Sequence, residues 1–188
     1  MRLADDALFQ TALAELAVVT TAIDREDIAA ACAMIAAANN LVLYGCGREG
    51  LQMRGFAMRL HHLGLDVAMQ GDMTCPPVGR GDLFVASAGP GELSTVTALM
   101  QVARGAGADV LLLTAEPKTA TARLATRVLH IPAQTMARDT GPAASRVLPM
   151  GSAYEGALFV LFEILVLRLG EHLGVKPAAM RARHTNLE

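Results

Sequence analysis

The sequence predicts an α/β protein, a three-layer α/β/α sandwich with a five-stranded parallel sheet. From residue 41 to 132, short apolar runs alternate with segments of helical periodicity, which is typical of a parallel sheet with helices on both faces. Of the 188 residues, 53% are hydrophobic and 18% charged, enough for one full-sized core. We expect a single domain over 1–188, with N-terminal helices over 1–40, an α/β core over 41–132 and C-terminal helices over 149–184.

The individual elements follow from apolar spacing and from helix-ending residues. Two helices are expected in the first 38 residues, the second beginning near the N-cap candidate Asp24 and ending at Asn39-Asn40. The apolar run Leu41–Tyr44 ends at Gly45, as expected for a buried parallel strand. The expected elements that follow are helix Gly50–Leu63, strand Val67–Met69, strand Asp82–Ser87, helix Leu93–Arg104, strand Val110–Thr114, helix Thr119–Ala125, strand Arg127–Ile131, helix Gly151–Leu173 and a helix from Pro177 to about His184.

Charge and composition argue against several classes of partner. The net charge of −2 leaves no electrostatic footprint for nucleic acid or for an anionic membrane. Met1–Asp6 is already charged and no secretory signal follows it. The apolar stretch from Gly156 to Gly170 is interrupted by Glu163 and Arg168, so we interpret it as a buried helix. The high apolar fraction indicates that helix faces are covered by other copies, in a homo-oligomer that is a dimer or a tetramer.

The cysteines indicate neither a disulfide framework nor a metal site. Cys32, Cys46 and Cys75 are odd in number and show no CxxC spacing. A reducing, cytoplasmic location is the natural interpretation. Cys46 has no partner nearby in sequence that would make it a nucleophile.

Two glycine-rich loops each follow a strand and precede a helix, at Gly45–Gly50 and Ser87–Glu92. Glycine lets the backbone approach a ligand closely, and a helix N-terminus favours anionic or strongly polar groups. In a flavodoxin-like strand order of 2-1-3-4-5 the two loops meet at the topological switch point, where such sheets bind ligands. The candidate substrate-binding residues are Gly47, Arg48, Glu49, Ser87, Ala88, Gly89, Gly91, Glu92, Ser94 and Thr95.

The first loop also permits two other interpretations. Gly45-x-Gly47-x-x-Gly50 matches the dinucleotide-binding fingerprint, but the acidic residue expected about 20 positions later has only Asp66 and Asp72 as candidates. Neither ends the second strand, where that residue belongs. Alternatively, the glycines serve only to pack the helix against the sheet.

Four segments carry further sequence motifs: Gly45–Gly50, the helix Phe56–Gly64, Pro149-Met150-Gly151 with Glu155, and the tail Arg183–Glu188. Together they resemble the 6-phospho-3-hexuloisomerases, SIS-domain enzymes of formaldehyde fixation by the ribulose monophosphate route. The resemblance extends from about residue 20 to the C-terminus. It implies the SIS fold, a tetramer, no metal or organic cofactor, and a 6-phosphorylated sugar as substrate.

The resemblance further implies an intramolecular oxidoreductase that interconverts a 3-ketose and a 2-ketose. A base removes the C2 proton beside the C3 carbonyl to give an enediol, and reprotonation at C3 leaves the carbonyl at C2. Glu155 matches the family's glutamate after Pro-Met-Gly, and we expect it to be the general base. The alternative is a structural role at the helix start, through the helix dipole or a capping contact with Ser152.

Three histidines are further catalytic candidates. His62 matches a fixed position of the family helix and His61 a variable one, and either could face a neighbouring subunit's site. Both could equally be stabilised by the C-terminal end of a helix dipole. His184, in the tail, could fold over a site in the tetramer or lie in a solvated terminus.

The chain departs from the family where phosphate is expected to bind. Phosphosugar-binding SIS domains present hydroxyl groups in patterns such as GxGRSG and SGSGET. Here Glu49 replaces the first serine, and the hydroxyl residues of the second loop are replaced by Ala88, Pro90 and Leu93. Ser94 and Thr95 could still donate, from one residue further into the helix.

Glu49 is therefore expected to be unfavourable beside a phosphate dianion. Two unit charges about 4 Å apart interact by roughly 4 kcal/mol at an effective dielectric constant near 20. The repulsion would be avoided only if Glu49 turned away from the site or paired with Arg48 or Arg54. Two other functions stay open: isomerisation of a non-phosphorylated or otherwise anionic keto-sugar, with Glu49 binding hydroxyls, and a non-catalytic module that binds carbohydrate derivatives.

Overall fold

A single parallel sheet of five strands organises the computed structural model, which describes residues 5–141 and 144–187. The order across the sheet is β2-β1-β3-β4-β5, which confirms the predicted fold class and strand order. The strands are β1 (Leu41–Gly45), β2 (Val67–Met69), β3 (Leu83–Ser87), β4 (Asp109–Thr114) and β5 (Arg127–His130).

Helices cover both faces of this sheet, as expected for a parallel sheet. On one face α4 and a 3₁₀ turn at Ala122–Leu124 pack over the centre, and the other helices bury the opposite face. The helices are α1 (Asp5–Thr21), α2 (Arg25–Ala37), α3 (Gly47–Leu63), α4 (Ser94–Gly105), α5 (Ser152–His172) and α6 (Pro177–Ala182).

The alternation of side chains along the strands divides the core in two. Leu41 and Leu43 of β1 join the cluster beneath α3 and α5, whereas Val42 joins the cluster beneath α4. The same division holds in β4, where Leu111 and Leu112 belong to opposite clusters. Since successive strand residues point to opposite faces, fully apolar strands are required in a sheet that is covered on both sides.

Helix ends follow the predicted capping signals. The Asp24 carboxylate accepts a hydrogen bond from the Glu26 N–H at 2.8 Å and so caps α2. Gly64 ends α3 in the left-handed conformation, with φ at 90°. The Arg183 guanidinium donates to the carbonyl of His62 at 3.1 Å, which ties the C-terminal segment to the end of α3.

The structure differs from the sequence prediction mainly in the helices. Thr119–Ala125 was expected to be a helix, but only the 3₁₀ turn forms, because the Thr119 hydroxyl accepts the Ala122 N–H and the Thr121 hydroxyl bonds the Thr97 hydroxyl. The helix α3 starts at Gly47 rather than Gly50, so most of the first glycine-rich loop is its first turn. The final helix ends at Ala182, short of His184.

Parts of the sequence predictions lie outside the described residues. They are 1–4 at the N-terminus, 142–143 in the loop before α5, and Glu188 at the end of the tail motif.

Over the described ranges, no single helix is both long and apolar enough to span a membrane. Only α1 and α2 taken together reach that length and composition, and the chain bends by 76° between them.

Candidate active site

A cavity of about 380 Å³ lies at the carboxyl ends of β1 and β3. Gly45 and Ser87 are paired in the register of these neighbouring strands, so the two glycine-rich loops lie side by side. This is the switch point of the strand order, where open α/β sheets bind ligands. The cavity is lined by Cys46, Gly47, Arg48, Glu49, Pro90, Leu93, Thr135, Met136, Met150, Gly151, Tyr154 and Glu155.

Glu49 points into the protein and is only 9% exposed. Its carboxylate accepts a hydrogen bond from the Ser87 hydroxyl at 2.5 Å and from the Gly89 N–H at 3.0 and 3.1 Å. In the described contacts Glu49 pairs with neither Arg48 nor Arg54, and it lines the cavity. Arg48 pairs with another carboxylate, and Arg54 lies 3.5 Å from Asp72.

Burial dominates the electrostatics around Glu49. It raises the pKa of the Glu49 carboxyl, and the hydrogen bonds from Ser87 and Gly89 oppose that rise. The phenol of Tyr154, 3.3 Å from the Ser87 hydroxyl, is fully buried. Burial raises the pKa of Tyr154, and the nearby charge of Glu49 adds to the effect. The phenol therefore stays protonated beside the carboxylate.

Arg48 and Glu155 form an ion pair in the cavity wall. The guanidinium lies 3.0 Å from the Glu155 carboxylate and also donates to the Ser152 hydroxyl at 3.0 Å and to the Met150 carbonyl at 2.5 Å. Gly151, before the first turn of α5, has φ of 85° and turns the chain into the helix. The Pro-Met-Gly segment thus places Glu155 beside Arg48.

The pKa of the Glu155 carboxyl is shifted by its surroundings. Burial raises its pKa, Arg48 lowers it in opposition, and the charge of Glu49 raises it further. A carboxylate with a raised pKa accepts protons more readily than an exposed one, which suits a general base. The capping contact with Ser152 does not form, since the N-cap of α5 is Gly151 and the helix has no side-chain cap. The helix-dipole alternative stays open, because Glu155 lies in the first turn of α5.

Tyr154 and Thr135 are polar cavity residues that were not selected from the sequence. Tyr154 precedes the predicted base in the first turn of α5, and only the tertiary fold shows that it faces β3. Thr135 is 3% exposed, and no described residue hydrogen-bonds its hydroxyl. Buried hydroxyls are normally hydrogen-bonded to protein or to ordered water, so Thr135 is a candidate polar contact beside the cavity.

Several predicted binding residues lie outside the cavity wall. Glu92 accepts the Ala120 N–H at 3.0 Å. With Ser94 it lines a separate shallow groove over the start of α4. The described contacts place Gly91 against Glu116 instead of the cavity. Binding roles for these residues, and for Ala88 and Thr95, stay predictions.

The three candidate histidines lie far from the cavity of their own chain. His61 and His62 are in the last turn of α3, whose first turn carries Glu49. Thirteen residues of α-helix separate the ends by about 20 Å. The His184 ring lies near that of His62, with centroids 5.2 Å apart. A catalytic role for these residues stays a prediction and requires a neighbouring subunit.

The glycine spacing of the first loop has a packing explanation. A Cβ on Gly50 would lie 2.5 Å from the Gly45 carbonyl oxygen, so the helix could not approach the strand this closely with any other residue. This contact accounts for two of the three glycines that match the dinucleotide fingerprint.

Among the residues that the structure describes, no group of three or more His, Cys, Asp or Glu is placed to hold a metal ion.

Comparison with known proteins places these features in a family. Residues 34–159 match the family model described as the SIS domain. A 3-hexulose-6-phosphate isomerase of Mycobacterium gastri is 36% identical over 174 residues, which are 93% of this chain and 86% of that protein. A protein of the same name from Bacillus subtilis is 29% identical over 154 residues, 82% of this chain and 83% of the relative.

The fold has close counterparts among solved structures. The structure of a hypothetical protein from Methanococcus jannaschii, from which a 3-hexulose-6-phosphate isomerase function was inferred, superposes with a TM-score of 0.82 at 22% identity. The match covers 99% of this chain and 100% of that one. At this identity the likeness concerns the fold alone.

Proposed function

This chain belongs to the SIS-domain family, and on that premise we propose that it is a keto-sugar isomerase that moves a carbonyl group between C2 and C3. The names of its relatives support a sugar-phosphate isomerase function and sugar-phosphate binding. The finer statement, a 3-keto to 2-keto conversion through an enediol, is our proposal.

The observation that carries the proposal is the Arg48–Glu155 pair, 3.0 Å apart in the wall of the cavity. The reaction needs a base that takes a proton from carbon and a donor that steadies the oxygen on which charge develops. Glu155 supplies the carboxylate, and the Arg48 guanidinium supplies donors next to it. The proposal therefore assigns Glu155 as general base and Arg48 as the group that stabilises the enediolate.

The chemical steps balance within the sugar. Glu155 removes the C2 proton of the 3-ketose, the C–H electron pair forms the C2–C3 double bond, and the C3 oxygen gains a proton to give the enediol. The C2 hydroxyl then loses its proton, the carbonyl forms at C2, and C3 receives a proton. C2 is oxidised and C3 reduced by the same electron pair, so the reaction needs no external oxidant.

Replacement of the base tests this assignment. In E155Q the amide keeps the shape of the side chain but cannot take a proton, so turnover should fall by about 10²–10⁴-fold, the usual contribution of a general base. Ligand affinity and thermal stability should change little. The matched control is E163Q, which removes a carboxylate of the same helix that faces Arg59 instead of the cavity. Near wild-type turnover in E155Q would remove Glu155 from the reaction.

A further inference from the structure

Glu49 accepts hydrogen bonds from two donors of the Ser87–Glu92 loop. Its two carboxylate oxygens receive the Gly89 N–H and the Ser87 hydroxyl, all at 3.1 Å or less. The group that accepts is a side chain of the protein itself, 9% exposed and lining the cavity. These two donors are therefore already satisfied before any ligand enters, and the Ala88 and Gly91 N–H groups bond to backbone carbonyls.

A loop of this kind ordinarily favours an anionic ligand. Backbone N–H groups between a strand end and a helix start attract negative charge. Here the negative charge beside the loop is the Glu49 carboxylate, a side chain of the protein itself. Two lining residues beside it offer no polar side chain: Pro90, which also has no N–H, and Leu93, the N-cap of α4.

The remaining charges of the cavity also oppose a second anion. The charged residues among those lining it are one guanidinium, Arg48, and two carboxylates, Glu49 and Glu155. The guanidinium is engaged with Glu155, Ser152 and the Met150 carbonyl. Among the described lining residues the carboxylates outnumber the cation, so a phosphate dianion would enter a cavity that is already net negative.

We infer that Glu49 is a specificity-determining residue, a built-in anion that makes this cavity select keto-sugars whose group at the Ser87–Glu92 loop is an uncharged hydroxyl instead of a phosphate dianion. The inference rests on the proposed function, since it concerns the substrate class of the same site. A sugar hydroxyl can donate a hydrogen bond to the Glu49 carboxylate, whereas a phosphate dianion has no proton to donate to it.

Calorimetric titration with fructose 6-phosphate and with fructose tests the inference. Both dissociation constants are measured for the wild type, for E49Q, which keeps the shape without the charge, and for E49S, which leaves a hydroxyl. The affinity for the phosphate ester relative to fructose should rise at least about tenfold in both variants, because a like charge at contact distance is removed. E171Q, which removes an equal charge from the far end of α5, should leave the ratio unchanged.

Thermal unfolding verifies that each titrated protein is folded, and E49S carries the comparison if E49Q unfolds. A ratio that is unchanged or lower in the Glu49 variants, including an absence of phosphate-ester binding in all four proteins, would overturn the inference. The titrations do not depend on turnover. Their failure would leave the assignment of Glu155 standing, whereas near wild-type turnover in E155Q would remove that assignment without altering these constants.

Discussion

At the scale of single residues, the charge state of Glu155 depends on Arg48. Burial raises the pKa of the carboxyl and the guanidinium opposes that rise. Removal of the cation in R48Q should therefore raise the pKa of Glu155. A base works only when deprotonated, at pH values above its pKa, so the acid limb of the kcat/KM profile should move to higher pH. The loss of activity should be largest at low pH.

The matched control for R48Q is R59Q, which breaks the ion pair with Glu163 on the outside of α5. Its acid limb should stay where the wild type has it. A lower activity plateau in R48Q with an unmoved acid limb would show that Arg48 stabilises the reacting oxygen but does not hold Glu155 charged.

The orientation of Glu49 shows why part of the site could not be predicted from sequence. Arg48 and Glu49 are adjacent in the first turn of α3, and adjacent helical residues point about 100° apart. The sequence left a local pair open, but Arg48 faces Glu155 while Glu49 faces Gly89. Both partners come from other elements, so the contacts depend on the relative placement of β3 and α5.

At the scale of elements, α3 contains one glycine that its close approach to β1 requires and one that this approach does not require. A Cβ on Gly50 would meet the Gly45 carbonyl oxygen at 2.5 Å, whereas a Cβ on Gly55 would have nothing within 4 Å. We expect G50A to lower the free energy of unfolding by about 1–3 kcal/mol, because backbone must shift. G55A should raise it by about 0.5–1 kcal/mol, since alanine favours an exposed helix interior.

Urea unfolding of the two variants measures both changes. Because the substitutions are identical and lie five residues apart on one helix, helix propensity cancels in the comparison. Equal stability of G50A and G55A would show that α3 does not depend on close approach to β1.

The elements themselves were predictable where local and tertiary preferences agree. The five strands are short apolar runs, and burial on both faces requires that pattern. The structure of Thr119–Ala125 was not predictable in this way, because its threonine hydroxyls hydrogen-bond locally and to α4. The contribution of Thr135 to the cavity was missed because it comes from an irregular loop, where periodicity carries no signal.

At the scale of the whole molecule, large apolar side chains remain exposed on one side of the sheet. Phe9 and Leu13 of α1 are 72% and 67% exposed, and Phe159 and Leu167 of α5 are 59% and 61% exposed. Apolar surface of this extent indicates an interaction site, and we expect these faces to join copies of the chain into a dimer or tetramer. A catalytic role for the histidines at the end of α3 also requires such an assembly.

Light scattering at micromolar concentration tests the assembly. The wild type should have at least twice the 19.7 kDa chain mass, and F159E should shift it toward the monomer. The control is V102E, on α4 at the opposite face of the sheet, where the side chain is 67% exposed. A wild-type monomer, or equal dissociation by both variants, would contradict an interface on α1 and α5.

The most direct test of the central claim is the exchange of carbon-bound hydrogen with solvent. An enediol forms only when the proton at the carbon beside the carbonyl is removed, and its return from deuterated water leaves deuterium there. Incubated with fructose and with fructose 6-phosphate in deuterated water, the wild type should incorporate deuterium at C3 of at least one of the two ketoses, detected by NMR, and E155Q should not. If neither sugar incorporates deuterium at C3, or if E155Q exchanges it as fast as the wild type, isomerisation through Glu155 is contradicted.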